Sequence, residues 1–406
     1  MGYVAVENLN QGMVLDEDVH DVNTRLLLSK GQKLAQKHIR VLKIWGIVGV
    51  HIVGGADNRD TQRPVLDDEK IEKIKTSINL VFKNIDFTHG TIKEIYKSAL
   101  IHRIKGNLSN SPSMTSVCRE GEMAVEADQI RGKIKGIDDK LPETPTIITE
   151  LNKVIADPLA TSNNVAQVVN RSPSLTATLL KIVNSAYYGF PSRIDRISRA
   201  VTIIGTKEIS GLALGICVMQ AFQNIPKEII DMKAFIRHSL ACGLIARILA
   251  ALNNISETEQ LFVSGLLHDI GKLIVYNYYP DHAKAFLCLA ESSNTSVYNT
   301  EKEIAGMRHP QIAKHILRKW KLPDDLSDNI VFHHDPSKAA NPLNAGIVHL
   351  ADIIAHGLGI GSSGERSIPC FDYEVIDNIL NSHHSIQMII RQAVHQLRPM
   401  EAIFES

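Results

Sequence analysis

The stretch Gly265-Leu266-Leu267-His268-Asp269-Ile270-Gly271-Lys272 puts an imidazole and a carboxylate side by side in an apolar run from about Leu261 to Val275. The run has helical spacing, so both ionisable groups are expected inside a helical core. Burying them is costly unless something replaces their hydration. A metal ion does this: it holds the carboxylate ionised and the imidazole neutral, the forms that ligate. Adjacent residues of a helix point roughly 100° apart, so the pair can embrace an ion in a bundle interior. The plainer alternative is a helix whose His and Asp bond to backbone groups. The choice turns on where further ligands lie.

The elements that must position this pair change character along the chain. Residues 1–55 read as a small β-rich unit, with strands at Arg25–Leu28 and Gly46–Val53 around a helix from Gln36 to Trp45. Residues 56–137 read as a polar linker at 54–64 followed by a helical connector. Its helices are expected over Asp67–Phe82 and Thr91–Ile104, with a Ser/Asn/Pro-rich break at Asn107–Thr115 and a polar helix over 116–135. From Leu141-Pro142-Glu143-Thr144-Pro145 onward, amphipathic helices with short breaks dominate. Ser162 is a candidate cap for one of them and Ser172-Pro173 opens the next. Residues 357–406 read as closing helices, apolar at Ile376, Ile379, Ile386, Ile389 and Ile390. The fold class is mainly α, a helical bundle preceded by a small β-rich domain.

Length and composition narrow the function classes. The chain has 406 residues, enough for more than one core, and 44 basic residues balance 44 acidic ones. No global basic field points to nucleic acid or anionic lipid. The five cysteines show no CxxC pair, and Cys217, Cys242 and Cys288 fall in apolar helical patterns as small buried hydrophobes. This usage suits a reducing cytoplasm. The first residues lack the basic start and apolar core of a signal peptide, and no uncharged apolar stretch reaches membrane-span length, so a soluble cytoplasmic protein is expected. No P-loop, dinucleotide fingerprint, kinase set or nucleophile elbow is present.

The ordered landmarks Leu141-Pro142…Pro145, Asp157-Pro158, Ser172-Pro173-Ser174-Leu175, Asn184-Ser185-Ala186, Ile204-Gly205, Gly265 to Lys272, Trp320-Lys321-Leu322-Pro323 and His333-His334 together resemble the HDOD family, the HD-related output domain. The resemblance covers roughly residues 138–350, places an HD-type helical domain at 138–356, and implies an HD-superfamily helical bundle used in bacterial signalling. The N-terminal pattern Gly12-Met13-Val14-Leu15, Leu26-Leu27-Leu28…Gly31 and His38-Ile39…Leu42…Trp45-Gly46 is similar to the accessory domain that precedes HD-GYP phosphodiesterases.

With that resemblance as guide, further ligands are His238, His309, His333, His334 and Asp352 beside His268 and Asp269. This is the ligand order of HD-GYP-type phosphohydrolases. Imidazoles mixed with carboxylates suit Fe, Mn, Zn or Ni rather than Mg or Ca. The set is enough for two divalent ions, with Asp269 as bridge. His315, His349 and His356 match no position. If two ions bind, Asp269 and Lys272 are the catalytic candidates, the lysine reaching a phosphate oxygen, with Arg308 and Arg318 near His309 as further anion contacts. The resemblance then implies hydrolysis of a cyclic dinucleotide such as cyclic di-GMP.

Two features cut against that chemistry. After His333-His334 the chain runs Asp335-Pro336-Ser337-Lys338 with no Gly-Tyr-Pro loop. Ala234 also stands where HD-GYP proteins with three ions carry a glutamate. The expectation is therefore a metal-binding regulatory module that binds a signalling protein or a nucleotide, with a metal-dependent phosphodiesterase as the alternative.

Overall fold

The structure, a computed structural model, describes residues 2–20, 26–44, 47, 49–54, 68–83, 85–105, 134, 136–157, 159–185, 188, 190, 192–222, 225–368, 371–380 and 386–404. The linker after Gly54, the break at Asn107–Thr115 and nearly all of the polar helix over 116–135 lie outside these residues.

At the N-terminus, β1 (Gly2–Ala5) pairs antiparallel with β4 (Gly49–Ile52), and β2 (Val19–His20) with β3 (Leu26–Leu28). Helix α1 (Gln36–Ile44) lies between β3 and β4 in the chain. Leu15, Leu34, Ile39, Leu42, Val50 and Ile52 close a small core of their own.

The remainder is helical. Helices α2 (Asp68–Val81) and α3 (Gly90–Lys105) precede α4 (Ile137–Lys140), α5 (Thr146–Ala156), α6 (Ser162–Asn170), α7 (Pro173–Val183), α8 (Ile197–Ile204) and α9 (Thr206–Gln220). Then come α10 (Met232–Leu252), α11 (Thr258–Leu267), α12 (Ile270–Tyr278), α13 (Pro280–Ser293), α14 (Val297–Ala305) and α15 (His309–Lys319). The chain ends with α16 (Asp324–Val331), α17 (Pro342–Leu358), α18 (Tyr373–Ile379) and α19 (Ile386–Phe404). One continuous core joins them, from Ile74 in α2 to Met400 in α19. The expected connector helices α2 and α3 are packed into it. Arg103 of α3 donates to the Gly357 carbonyl at 3.0 Å, placing a cation at the C-terminal end of α17, where helix carbonyls lack partners.

The landmarks noted in the sequence are joints. Trp320 Nε1 donates to the Pro142 carbonyl (3.1 Å) and Asn152 to the Trp320 carbonyl (2.8 Å), tying the Leu141–Pro145 segment to the end of α15. Asn184 donates to the Ile194 carbonyl and accepts from the Ile194 N–H, both at 2.7 Å, and so fastens the loop after α7. Ser172 caps α7 as expected, whereas the cap of α6 is Thr161, in a reciprocal box with Asn164, rather than Ser162.

By length and composition α10 could cross a bilayer, but most of its surface is buried against the other helices. Among the expected buried cysteines, Cys217 and Cys242 are free and buried, while Cys288 is disulfide-bonded.

Candidate metal centre

The centre forms where α10, the α11–α12 junction, α15, the end of α16 and α17 meet. Glycines allow the approach. A Cβ on Gly265 would lie 2.8 Å from the carbonyl carbon and oxygen of Cys242, so α11 presses directly on the backbone of α10. A Cβ on Gly271 would lie 1.9 Å from the His309 carbonyl oxygen, so α12 rests on the first residue of α15. The spacing of the motif is thus a packing requirement: its two glycines lock the histidine–aspartate pair between two other ligand-bearing helices.

The pair does not lie within one helix, as the apolar run suggested. Helix α11 stops at Leu267, Asp269 adopts φ −96° and ψ 15°, and α12 starts at Ile270. The break turns His268 and Asp269 toward different neighbours. His268 Nε2 is 3.2 Å from Asp269 Oδ2 and 3.7 Å from Asp352 Oδ1, while Asp269 Oδ1 is 3.1 Å from His309 Nε2. His238 Nε2 lies 3.1 Å from Asp352 Oδ1. His309 Nε2 approaches His333 Nε2 to 3.4 Å and His334 Nε2 to 3.2 Å. All seven ligand candidates therefore converge on one buried cluster.

The outer nitrogens settle the tautomers. His268 Nδ1 donates to the Gly265 carbonyl (2.8 Å) and His333 Nδ1 to the Ile330 carbonyl (2.7 Å). His309 Nδ1 lies 2.8 Å from Glu301 Oε2, which also accepts the His309 backbone N–H at 2.9 Å. In the neutral form of each ring the proton is on Nδ1, and Nε2 would turn a lone pair to the cluster, the orientation in which a metal-binding histidine is held. Apart from the ion-pair contacts with Asp269 Oδ2 and His309 Nε2, the buried His268 Nε2 and Asp269 Oδ1 have no hydrogen-bond partner among the described residues. Lone pairs facing one another in a dry interior, beside paired carboxylates, are the chemistry of a divalent-cation site.

Charge reinforces this. Burial opposes ionisation of Asp269, but His268 and Lys272 outweigh it and hold the carboxyl well below its ordinary range. Burial opposes Asp352 as well, and its hydrogen bond with His238 together with the charge of His268 brings it low. His333 and His334 are pushed well below the ordinary imidazole value by burial and by their neighbouring rings. Burial pushes His268 and His309 down too, but Asp269 and Glu301 respectively outweigh it and raise them. A bound cation would displace those protons, since ionised carboxylates and neutral imidazoles are the ligating forms.

Lys272 is buried and bonds Asp269 Oδ2 (2.9 Å) and Ser363 Oγ (3.2 Å). Ser363 belongs to a buried loop after α17 that lies over the centre. In that loop the Ser362 N–H donates to the Ala234 carbonyl (3.0 Å), and the Ser363 carbonyl accepts from Tyr276 Oη (2.8 Å). Glu365 accepts the Val297 N–H at 3.0 Å, at the start of α14. Where a Gly-Tyr-Pro loop was absent from the sequence, Pro336–Lys338 forms a short 3-10 turn against α17.

Sequence reasoning missed two residues. Glu301, an acid inside an amphipathic helix, gave no local signal of orienting His309. Cys242 follows His238 by four residues, one turn along the same face of α10, and its Sγ lies 3.5 Å from His238 Nε2. The signal was the His-x-x-x-Cys spacing, read instead as core. Of the three histidines set aside, His315 pairs with Asp138 (2.8 Å), His349 accepts from the Asp372 N–H (3.3 Å), and His356 has its ring 6.1 Å from that of His238.

Comparison with known proteins accords with this architecture. Residues 141–336 match the HDOD domain. The chain carries an HDOD domain. The match stops short of Asp352, which α17 supplies from beyond it. The chain is similar in fold to a protein of Marinobacter aquaeolei VT8 provisionally named a signal transduction protein. That likeness has 20% identity and a TM-score of 0.54, covering 70% of this chain and 64% of the other. It is also similar to a protein of Shewanella amazonensis SB2B provisionally named a metal-dependent phosphohydrolase, with 18% identity and a TM-score of 0.51, covering 70% of this chain and all of the other (100%). A curated relative from Treponema pallidum (strain Nichols), named only as an uncharacterized protein, is 22% identical over 236 residues. The aligned part is 58% of this chain and 45% of that relative's length.

Proposed function

We propose that this HDOD protein is a metal-holding signalling module: its buried centre takes two divalent transition-metal ions, and its helical surface engages a partner protein or a nucleotide. The observation that carries the reading is the convergence of seven donors, six of them buried and the seventh, His334, half-buried. His238, His268, His309 and His333 are 0% exposed, Asp269 2% and Asp352 7%. His238, His268 and Asp352 form one side; His309, His333 and His334 form the other; Asp269 stands between. Ions bound there supply positive charge and Lewis acidity, chosen from Fe, Mn, Zn or Ni by the nitrogen-rich donor set. Closure by Ser362 and Ser363, with Lys272 engaged inside, favours holding the centre rigid over admitting a bulky substrate. Residues 1–55 then serve as an accessory unit like the one ahead of HD-GYP phosphodiesterases.

A second reading, hydrolysis of a cyclic dinucleotide or another phosphoester, is favoured by one feature. His334 is only half-buried, its ring centroid 4.2 Å from that of Tyr298, and the Arg308 guanidinium lies over the Tyr298 ring, 4.2 Å from its centre. A cation beside the open edge of a metal centre suits a phosphate.

The test is elemental analysis of anaerobically purified protein beside the His268→Ala and Asp269→Ala variants, with turnover of bis(p-nitrophenyl) phosphate measured on the same samples. Near two equivalents of transition metal, lost in both variants, supports the module. Turnover that vanishes in Asp269→Ala moves the assignment to the second reading. A folded wild-type protein that holds no metal overturns both.

A further inference from the structure

We infer that Cys242 is itself a metal ligand, completing with His238, His268 and Asp352 a closed four-donor shell on one side of the centre. The inference rests on the metal-holding reading above and goes beyond it, because it assigns that side a thiolate and removes its open position.

The geometry comes first. Residues four apart share a helix face, so His238 and Cys242 reach the same point from α10, as two histidines do in metal-binding His-x-x-x-His helices. His238 Nε2, Cys242 Sγ, His268 Nε2 and an Asp352 carboxylate oxygen all lie within 4.8 Å of one another, and all four residues are buried. Metal–nitrogen and metal–sulfur bonds of about 2.0 and 2.3 Å make the edges of a tetrahedral shell roughly 3.3–3.8 Å. The distances between these donors are 3.1 Å (His238–Asp352), 3.5 Å (His238–Cys242) and 3.7 Å (His268–Asp352). These three pairs stand close to shell spacing, and the remaining pairs lie within 4.8 Å.

An independent observation points to the same place. His268 Nε2 is fully buried, turned inward by the Nδ1 bond to Gly265, and has no hydrogen-bond partner among the described residues beyond close contacts with the carboxylates of Asp269 (3.2 Å) and Asp352 (3.7 Å). A cysteine packed merely as a hydrophobe does not account for that nitrogen. Cys217 is the contrast: it is buried in α9 and belongs to no group of converging donors among the described residues.

The chemistry follows. On binding, the Cys242 S–H loses its proton to solvent and the sulfur lone pair bonds the metal. One thiolate and one carboxylate balance a divalent charge, and two neutral imidazoles complete four donors. A full shell of this kind resembles structural zinc sites, whereas catalytic sites keep a position for water. Sulfur also disfavours Mn and Mg against Zn, Co or Fe. Any open coordination position therefore lies on the His309, His333 and His334 side.

The test uses the full chain loaded with cobalt(II), followed by absorption spectroscopy and by X-ray absorption of the zinc form. Wild type, Cys242→Ser and Cys217→Ser are compared, with circular dichroism reporting folding. We expect sulfur-to-cobalt charge transfer in the near ultraviolet in wild type and Cys217→Ser, and its loss in Cys242→Ser with at least tenfold weaker binding at one site. Cobalt bound by wild type without that band, or a band unchanged in Cys242→Ser, overturns the ligand assignment and leaves the metal reading standing. A wild type that binds neither cobalt nor zinc overturns both. If Cys242→Ser does not fold, a sulfur scatterer on zinc that persists in Cys217→Ser supports the assignment, and its absence overturns it.

Discussion

The two sides of the centre draw on the same helical bundle, yet their donors are held in different ways. On one side, His238 and Cys242 come from a single face of α10 and meet Asp352 from α17, so two long helices fix the positions. On the other, His309 begins a helix, and His333 and His334 follow one, so anchors outside the cluster are needed: Glu301 for His309 and the Ile330 carbonyl for His333. The charges differ too. His268, amid carboxylates, is raised: burial pushes it down, but Asp269 and Asp352 outweigh burial. His333 and His334, amid imidazoles, are lowered, while His309, between them and Glu301, is raised by that carboxylate against burial. A bundle can thus hold an acid-rich, sealed shell a few ångströms from an imidazole-rich, partly open one. Asp269 stands between them, and the two glycines around it position both.

That contrast can be broken most severely at the shared residue. Asp269→Ala leaves the Lys272 ammonium buried without its carboxylate, and removing one partner of a buried pair costs about 3–5 kcal/mol. Denaturant unfolding of the metal-free protein should show this loss, and adding Lys272→Met should recover part of it. A metal-free Asp269→Ala as stable as the parent would mean that Ser363 alone satisfies the lysine.

The glycines separate the sides. Gly271→Ala forces a methyl into the His309 carbonyl, and Gly265→Ala forces one into the backbone at Cys242. Each overpacking should cost about 1–3 kcal/mol. Metal titration should show the first weakening the His309 side and the second the His238 side. Equal loss at both sides from either substitution would mean that the centre behaves as one unit. A gentler probe is Glu301→Gln, which keeps the shape but weakens the acceptor behind His309. Metal affinity on that side should fall about 10–100-fold, as for other residues that orient metal-binding histidines. Competition with a chelator checks it, and unchanged affinity would make Glu301 a packing residue only.

The smallest effect concerns acidity near the sealed side. His356 is pulled down to about 4, chiefly by burial, from an ordinary 6.5. The unfolded chain therefore binds this proton more readily than the folded one, and stability falls as pH drops from 6.5 toward 4. His356→Gln should flatten that part of the profile of unfolding midpoint against pH. An identical profile would place the slope on other groups.

Much of the fold was legible because helical periodicity reports which face is buried. The closing helices expected after residue 357 are present, and their isoleucines at 376, 379, 386, 389 and 390 are all buried. The donor set was legible through residue order and resemblance, since His and Asp in apolar runs demand a partner. The His268–Asp269 helix break was not legible: the apolar pattern continues across it, and the turn comes from packing Gly265 on α10 and Gly271 on α15. The roles of Glu301 and Cys242 were equally hidden, because each depends on a residue of another helix. Sequence by itself determined which side chains are ionisable, apolar or small, and hence that a buried centre had to be compensated. Tertiary structure alone decided which lone pairs face one another, because that direction depends on how helices distant in sequence cross.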